Sequence, residues 1–447
     1  MASIAAALQR IKEDPQAVIG SSIIENICVE LGLAWRNTAL TPPIVIALLA
    51  RQVLAGNVSN PELIRLAGLD VTAAGYCTAK GRIPLEAVRE ISRRVCAAAE
   101  RVAGSHSDYL WKGHRAWHVD GSSFSMPDTP ELQAHFGQPG NQKPGCGFPV
   151  AHLLCLFSAV SGLVRDVTVS PLRTGDLACA PQVHPNLRPG DITIGDTTFG
   201  SYFHLALLHE QGVFGVFPIH QKRIVSFRPR RSYSRPGKLR RKGQPTSRWI
   251  KRLGQDDQIV EYFKPAECPK WMSGKEHNAM PASLVVREIR RKVYKSGHRP
   301  MVIVIVTTLL DPELYPADEI VELLKQRWNV EGNLRHLKTT MNMEILRCHS
   351  VEAVQKELWT FMLIYNLTRV IMMEAAQQQK ISLDRISFAD ALYWMRHARP
   401  GGRLPDLIVN PHRPNRLEPR AIKRRPKKYD RLNKPRAQMR EALRKQG

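Results

Sequence analysis

The sequence has no long uncharged apolar run, and this absence excludes a membrane-spanning protein. The best apolar stretch in the 447 residues, Phe148 to Val164, contains His152 and a Ser-Gly turn. It is too short and too polar to cross a bilayer. The N-terminus also lacks a basic segment followed by a long apolar stretch, so no secretory signal is predicted. We therefore expect a cytoplasmic protein with no membrane partner.

The sequence also lacks an organised set of cysteines. Its eight cysteines are scattered, and the closest two are nine positions apart. Neither zinc-site spacing nor the dense pattern of a disulfide-rich domain is present. Several cysteines lie in apolar runs, where a free thiol behaves as a small hydrophobic residue. We expect buried free thiols.

Acidic residues are scarce, and the excess of cations is localised. With 65 Lys and Arg against 40 Asp and Glu, the formal net charge is +25. Residues 222–252 contain thirteen Lys/Arg and no acid, and residues 412–447 contain fourteen against three. Charge clustered in this way is typical of proteins that bind the phosphate backbone of nucleic acid. The alternative is a solvated linker and a solubility tail.

The hydrophobic pattern predicts an α/β fold with a mixed sheet and helices packed against it. Residues 1 to about 110 show helical spacing and could form a small DNA-end-binding module. Beyond them, a hairpin over residues 150–170 is followed by strands that alternate with helices. A long helix is predicted from Pro316 to Met341, because Pro316 and two acids favour a helix start there.

Three carboxylates in this pattern could form a metal site. Asp120 and Asp196 each end a short predicted strand, and Glu331 lies on the late helix. Mg²⁺ prefers a few carboxylates together with water and phosphate oxygens, so such a site suits phosphodiester chemistry with two ions. Mn²⁺ could substitute, because oxygen ligands suit both metals. Lone acids at strand ends are nevertheless common.

The late helix carries charged residues at regular spacing. Leu324, Arg327, Glu331, Arg335 and Lys338 are three or four positions apart and are predicted to share one helical face. An acid among three bases could hold a metal and bind phosphates beside it. The alternative is a surface ladder of salt bridges.

The same helix resembles the signature of DDE-class bacterial insertion-sequence transposases, specifically the insertion-sequence-four family. That signature is Tyr, two residues, Arg, three residues, Glu, six residues, Lys. Arg327, Glu331 and Lys338 match its spacing, whereas Leu324 stands at the Tyr position. Segments around Asp120 and Asp196 resemble the two Asp motifs of the family, and further segments resemble its N-terminal and C-terminal regions.

The resemblance implies an RNase H-like catalytic core with a β-rich insertion ahead of the last catalytic helix. It implies that Asp120, Asp196 and Glu331 are catalytic metal ligands for Mg²⁺, and that Arg327 and Lys338 contact DNA near the cleaved end. Arg335 lies on the same face as these two cations. The implied reaction is cut-and-paste transposition, with hairpinned element ends, by a homodimer in a synaptic complex.

The implied partners are double-stranded DNA, both terminal inverted repeats and target DNA, so the protein would be associated with the nucleoid. An insertion-domain Trp would hold a flipped base, and Trp249 and Trp271 are the two candidates; either could instead belong to the insertion core. In the basic tail, DNA contacts are expected from Lys423, Arg424 and Arg425. No role is assigned to His118 or to the other histidines near the Asp motifs.

Five regions are predicted from these patterns. They are an N-terminal helical domain (1–110), the first part of the catalytic core (111–220), the basic β-rich insertion (221–300), the second part of the core with the catalytic helix (301–375), and a C-terminal region with a basic DNA-binding tail (376–447). Two other functions stay open from the sequence: a non-catalytic DNA-binding descendant of a transposase, and a metal-dependent nuclease without strand transfer.

Overall fold

The N-terminal region is helical, as predicted. The computed structural model describes residues 20–104, 110–234, 242–293, 301–344, 346–399, 401–411 and 434–445. The first helices are α1 (Ser21–Glu30), α2 (Pro42–Leu54), α3 (Asn60–Ala67), α4 (Ala73–Arg82) and α5 (Leu85–Gly104). Helix α2 starts with Pro in its first turn, where the fixed φ of proline suits a helix and its missing N–H is not needed.

Among the described residues, the strands form one nine-stranded sheet in the order β3-β2-β1-β4-β5-β9-β8-β7-β6. Their bounds are β1 (Ala116–Ser125), β2 (Val150–Ser158), β3 (Val164–Pro171), β4 (Ile192–Ile194), β5 (Phe214–Pro218), β6 (Arg248–Gly254), β7 (Asp257–Phe263), β8 (Ser283–Val293) and β9 (Met301–Thr307). The predicted mixed α/β fold is thus confirmed at this level.

The sheet has a mixed half and an antiparallel half. Strands β1, β4 and β5 run parallel to one another, whereas β2 and β3 pair antiparallel beside β1. Strand β9 pairs antiparallel with both β5 and β8. The strands β6 to β8 of the basic insertion therefore extend the same sheet that carries the predicted catalytic aspartates.

The prediction that Asp120 ends its strand was wrong. Strand β1 continues to Ser125, because its antiparallel pairing with β2 extends to Ser125 opposite Val150. The parallel pairing with β4 is shorter and covers only Ala116 to His118. Asp120 therefore lies just beyond the point where β1 and β4 separate.

The predicted long helix over 316–341 is broken into three pieces. Helix α10 (Ala317–Lys325) is separated by a turn from α11 (Trp328–Arg335), and a π-helical turn (His336–Thr340) follows. The two helices pack on different apolar clusters: Leu324 lies in the cluster over β4, β5 and β9, and Val330 in the one that includes β2 and β3. Because of the turn between them, α10 packs on one cluster and α11 on the other. The single helical face predicted for residues 324 to 338 therefore does not form.

The helices between and after the strands complete the fold. They are α6 (Pro130–Phe136), α7 (Asp176–Val183), α8 (Tyr202–Glu210), α9 (Gly274–Ala279), α12 (Val351–Gln379), α13 (Phe388–His397) and α14 (Arg436–Arg444). In the part of the chain that the structure describes, none of the helices is long and apolar enough to cross a membrane.

The long helix α12 joins the N-terminal helices to the sheet. It packs against α2 and α5, and all three contribute to one apolar cluster with residues of β2 and β3. At its first turns, the Glu357 carboxylate accepts hydrogen bonds from Asn57 (2.5 Å) and from the backbone N–H of Cys348 (3.0 Å). The buried Lys356 ammonium donates to the Gly81 carbonyl at 3.0 Å. The N-terminal helices thus share a core with α12.

Further along α12, three polar side chains hold the turn between β2 and β3. Arg369 Nε donates to the Ser161 carbonyl at 2.8 Å, and Tyr365 Oη donates to the Gly162 carbonyl at 2.9 Å. Asn366 pairs with the backbone of Val164 through both its amide oxygen and its amide nitrogen, each at 2.8 Å. This clamp fixes the hairpin that pairs with β1.

Candidate active site

Asp120 and Asp196 lie on the same face of the sheet, at neighbouring parallel strands. His118 of β1 is opposite Ile194 of β4, and alternate residues of a strand share a face. Asp196 follows β4 by two residues and starts a short 3₁₀ helix, where its Oδ1 accepts the backbone N–H of Thr198 at 2.8 Å. The carboxylates that the sequence places 76 positions apart are thereby brought together.

The pKa of the Asp120 carboxyl is raised to about 6. Burial is the main cause, and the charges of Asp196 and Asp176 also contribute to the rise. The backbone N–H of Gly121, 2.9 Å from Oδ1, and the Arg327 guanidinium oppose that rise in pKa. Two carboxylates at a half-buried edge are an arrangement that a divalent cation stabilises.

Among the signature residues, Arg327 is the one whose charge acts on Asp120. It is in the turn between α10 and α11 and lowers the pKa values of both Asp120 and His118. It also borders a cleft of about 580 Å³ beside Asp196, together with Thr197, Thr198 and Leu324. A guanidinium at this place can bind a phosphate that lies next to the two carboxylates.

The other signature residues lie further along the segment. Glu331 is exposed on α11, the helix that packs against β1, and Arg335 is exposed one turn later. Lys338 lies in the π-helical turn and is half-buried. Within the described ranges, no group of three or more His, Cys, Asp or Glu side chains is arranged to hold a metal ion. The structure thus brings Asp120, Asp196 and Arg327 together, and leaves Glu331 outside a ligand group.

A second charged pair, not predicted from the sequence, flanks Asp120 on the opposite face of β1. His152 Nε2 and Asp176 Oδ1 form an ion pair at 2.7 Å, and contact with that carboxylate raises the pKa of His152 to about 9. A Cβ at Gly121 would collide with Asp176 Oδ1 and lie 3.0 Å from His152 Nε2. Glycine next to Asp120 therefore makes room for this pair. Because His152 and Asp176 are 24 positions apart and belong to no motif, the sequence did not predict that they would pair.

Part of the basic stretch is structural. Arg223 lies 3.7 Å from the centre of the Tyr262 ring, and Arg231 donates to the Ser247 carbonyl at 2.6 Å. Both guanidinium charges act on the buried Glu288 of β8. The described cations of this stretch that are exposed are Lys222, Arg228, Arg230, Lys242, Arg248, Lys251 and Arg252.

The two candidate tryptophans have different surroundings. Trp271 packs against the apolar cluster that contains Phe203 and Met272. Trp249 is half-buried on the edge strand β6, and its indole N–H is buried without a hydrogen-bond partner among the described residues. Lys423, Arg424 and Arg425 lie outside the described residues.

The mixed sheet thus has two aspartates at neighbouring strands, and Glu331 lies on a later helix. Residues 111–367 match the sequence model of the transposase DDE domain, and the chain belongs to that family. It is a DDE-class insertion-sequence transposase, an enzyme of DNA transposition.

Two known proteins illustrate the similarity. The chain is 24% identical over 379 residues to the transposase InsG for insertion sequence element IS4 of Escherichia coli strain K12, covering 80% of this chain and 78% of that protein. A solved piggyBac transposase synaptic complex with hairpin DNA aligns with this chain at 11% sequence identity and a TM-score of 0.44. The alignment covers 88% of this chain and 79% of the piggyBac chain. A likeness that slight carries no conclusion about this chain.

Proposed function

We propose that this transposase cleaves DNA at the ends of its element and joins the freed 3′ ends to target DNA, with Asp120, Asp196 and Glu331 as its metal ligands. The observation that carries the proposal is that Asp120, on β1, and Asp196, just after the neighbouring parallel strand β4, lie close together beside Arg327. The metal is Mg²⁺, because the donor set consists of carboxylate oxygens alone. Mn²⁺ would be an effective substitute.

The residues present fit such an ion in part. The pKa of Asp120 is raised first by burial and then by the charges of Asp196 and Asp176, and a bound cation would offset both effects. Glu331 would complete the ligand set from α11, which already packs against β1. When bound, two such ions would activate the attacking oxygen and stabilise the leaving oxygen of a phosphodiester.

The five strands β3-β2-β1-β4-β5, with helices on both faces, support an RNase H-like core. Strands β6 to β8 come between β5 and β9, ahead of the helix that carries Glu331, and they would form the β-rich insertion. Within this core, Arg327 would bind the phosphate next to the cleaved bond from the border of the cleft. Lys338 and Arg335 would contact the same strand further along.

The insertion would contact DNA through its exposed cations and Trp249. A base flipped out of the duplex needs an aromatic face on which to stack. Trp249 is the better candidate, because Trp271 already packs into an apolar cluster. The bound DNA would comprise both terminal inverted repeats in a synaptic homodimer, and hairpin formation would accompany cut-and-paste excision.

The experiment that tests the proposal is cleavage of a duplex that carries the DNA ends flanking this gene, in Mg²⁺, by wild type and by Glu331→Gln. We expect cleavage at the element boundary that falls at least about a thousandfold in the variant. Glu322→Gln is the matched control, because Glu322 is also exposed and lies on the preceding helix. It should cleave like wild type.

Each other outcome is informative. Equal cleavage by Glu331→Gln and wild type would remove Glu331 from the site. Cleaved 3′ ends that are never joined to a second duplex would show a nuclease without strand transfer. Tight end binding without cleavage in either metal would show a DNA-binding descendant.

A second experiment concerns the basic tail. Each lost phosphate contact lowers the slope of log K against log salt by about one unit, because fewer counterions are released. Replacing Lys423, Arg424 and Arg425 together by Gln should therefore flatten the slope by about two to three units. Equilibrium binding of end DNA at several salt concentrations measures this. An unchanged slope would make the tail a solubility device.

A further inference from the structure

His118 is a buried polar residue that the mechanism proposed above does not use. It is fully buried on β1, two residues before Asp120 and on the same face of the sheet. Neither of its ring nitrogens has a hydrogen-bond partner among the described residues. Leaving a buried polar atom unpaired costs about 1 to 3 kcal/mol, so an unpaired imidazole destabilises the fold at this position.

The immediate neighbours of His118 in the sheet offer no partner. In the register of the sheet, Phe157 of β2 lies on one side and Ile194 of β4 on the other, and both are fully buried. An apolar side chain of similar size would fill this place without leaving two polar atoms unpaired. Unpaired buried groups in folded proteins call for a specific explanation, such as a catalytic role or an absent partner.

Arg327 is the group that can supply the partner. It lies at the start of α11, the helix that packs against β1, which is the strand that carries both His118 and Asp120. It also borders the cleft beside Asp196. An arginine carries five N–H donors in a planar fork, so it can donate one to an imidazole and the others to a phosphate.

We propose that His118 is a positioning residue for the cleavage reaction: one of its two unpaired ring nitrogens accepts an N–H of Arg327, and this contact orients the remaining donors of Arg327 toward the DNA phosphate in the cleft. A neutral imidazole has one ring nitrogen whose lone pair can accept such a hydrogen bond. The inference rests on the proposed function, because it assumes that Arg327 binds the phosphate next to the cleaved bond.

The test compares His118→Leu, which removes the acceptor, with His118→Gln, which keeps one. We expect His118→Leu to be at least as thermally stable as wild type and to bind end DNA, yet to cleave it about ten- to a hundredfold more slowly, since a misaligned group lowers the rate by this order. His118→Gln should recover much of the rate.

The matched control is Thr193→Val. Thr193 on β4 also has a buried side-chain oxygen without a partner, but it is opposite Trp117 and so lies on the other face of the sheet. Thr193→Val should be as stable as wild type and cleave at the wild-type rate. Equal loss of cleavage in both variants would show a general packing effect and overturn the proposal.

A double-mutant cycle assigns the effect to Arg327. If His118 acts through this arginine, His118→Leu should lower the rate no further in an Arg327→Ala background. Independent, multiplying losses would contradict the proposed link, as would wild-type cleavage by His118→Leu. Wild type and Asp120→Asn are measured in the same cleavage assay. If wild type does not cleave the DNA, the proposed function itself is refuted. If wild type and His118→Leu cleave at the same rate, only this inference is refuted.

Discussion

The aspartates and the glutamate of the proposed metal site are held by different kinds of structure. Asp120 and Asp196 are fixed by the pairing of β1 with β4, within a sheet whose neighbouring hairpin is clamped by α12. Glu331 is on an eight-residue helix between a turn and a π-helical turn, and it is exposed. The sheet side is therefore built in advance, and we expect the helix side to shift when metal and DNA bind.

The largest effect that would test this contrast is expected at the clamp. Arg369→Ala removes the charged donor that pairs with the Ser161 carbonyl and leaves that carbonyl buried. We expect the free energy of unfolding to fall by about 2 to 4 kcal/mol. Chemical denaturation measures it, with Arg440→Ala on the exposed helix α14 as the control. A change below about 0.5 kcal/mol would mean that the hairpin holds itself.

A smaller effect is expected in the pH dependence of stability. Because the pKa of Asp120 is raised to about 6 in the folded state, its contribution to stability is present at low pH and is lost as pH rises through about 6. Without metal, wild type should therefore lose about 1 to 3 kcal/mol relative to Asp120→Asn between pH 4 and 7.

Added Mg²⁺ should reduce that loss for wild type and leave Asp120→Asn nearly unchanged, because only the ionised carboxylate binds the ion. Thermal unfolding across this pH range, with and without the metal, measures both effects. Parallel curves for the two proteins would show that Asp120 has an ordinary pKa and that the crowding of charge at β1 is weak.

The last comparison makes the same substitution on the strand side and on the helix side, and it includes the smallest effect, that of Gly332→Ala. Gly121→Ala on β1 would collide with Asp176 and should destabilise the protein by about 1 to 3 kcal/mol. Gly332→Ala on α11 meets open space and should stabilise by about 0.5 to 1 kcal/mol, because alanine favours a helix. Thermal unfolding of both variants gives the signs. Equal signs would remove the contrast between a packed strand and a loosely packed helix.

Much of this arrangement could be predicted from sequence. The hairpin over 150–170 and the strands around Asp120 and Asp196 follow from apolar runs broken by turn residues, and the observed strands lie within a few residues of the predicted ones. The full length of β1 could not, because its second half is set by pairing with β2. The break at residues 326–327 was also hidden, since periodic spacing alone cannot show that two halves of a segment pack on different clusters.

The roles of single histidines were beyond the sequence as well. His118 and His152 are both near the Asp motifs along the chain or in space, yet one is unpaired and the other is paired with Asp176. Only the register of neighbouring strands and the place of α7 distinguish them. The signature residue Arg327, in contrast, was predicted from its match to the family motif, and it lies beside the aspartates in the structure.

The pairing of β5 with β9 has an evolutionary consequence. Since these two strands are adjacent and antiparallel, everything between Pro218 and Met301 is topologically the loop of one β-hairpin. Such a loop can be lengthened, shortened or exchanged while the register of the strands that carry Asp120 and Asp196 stays intact. Related elements could thus evolve new modes of DNA-end binding by replacing the segment between β5 and β9. The strands that position the proposed catalytic residues would not need to change.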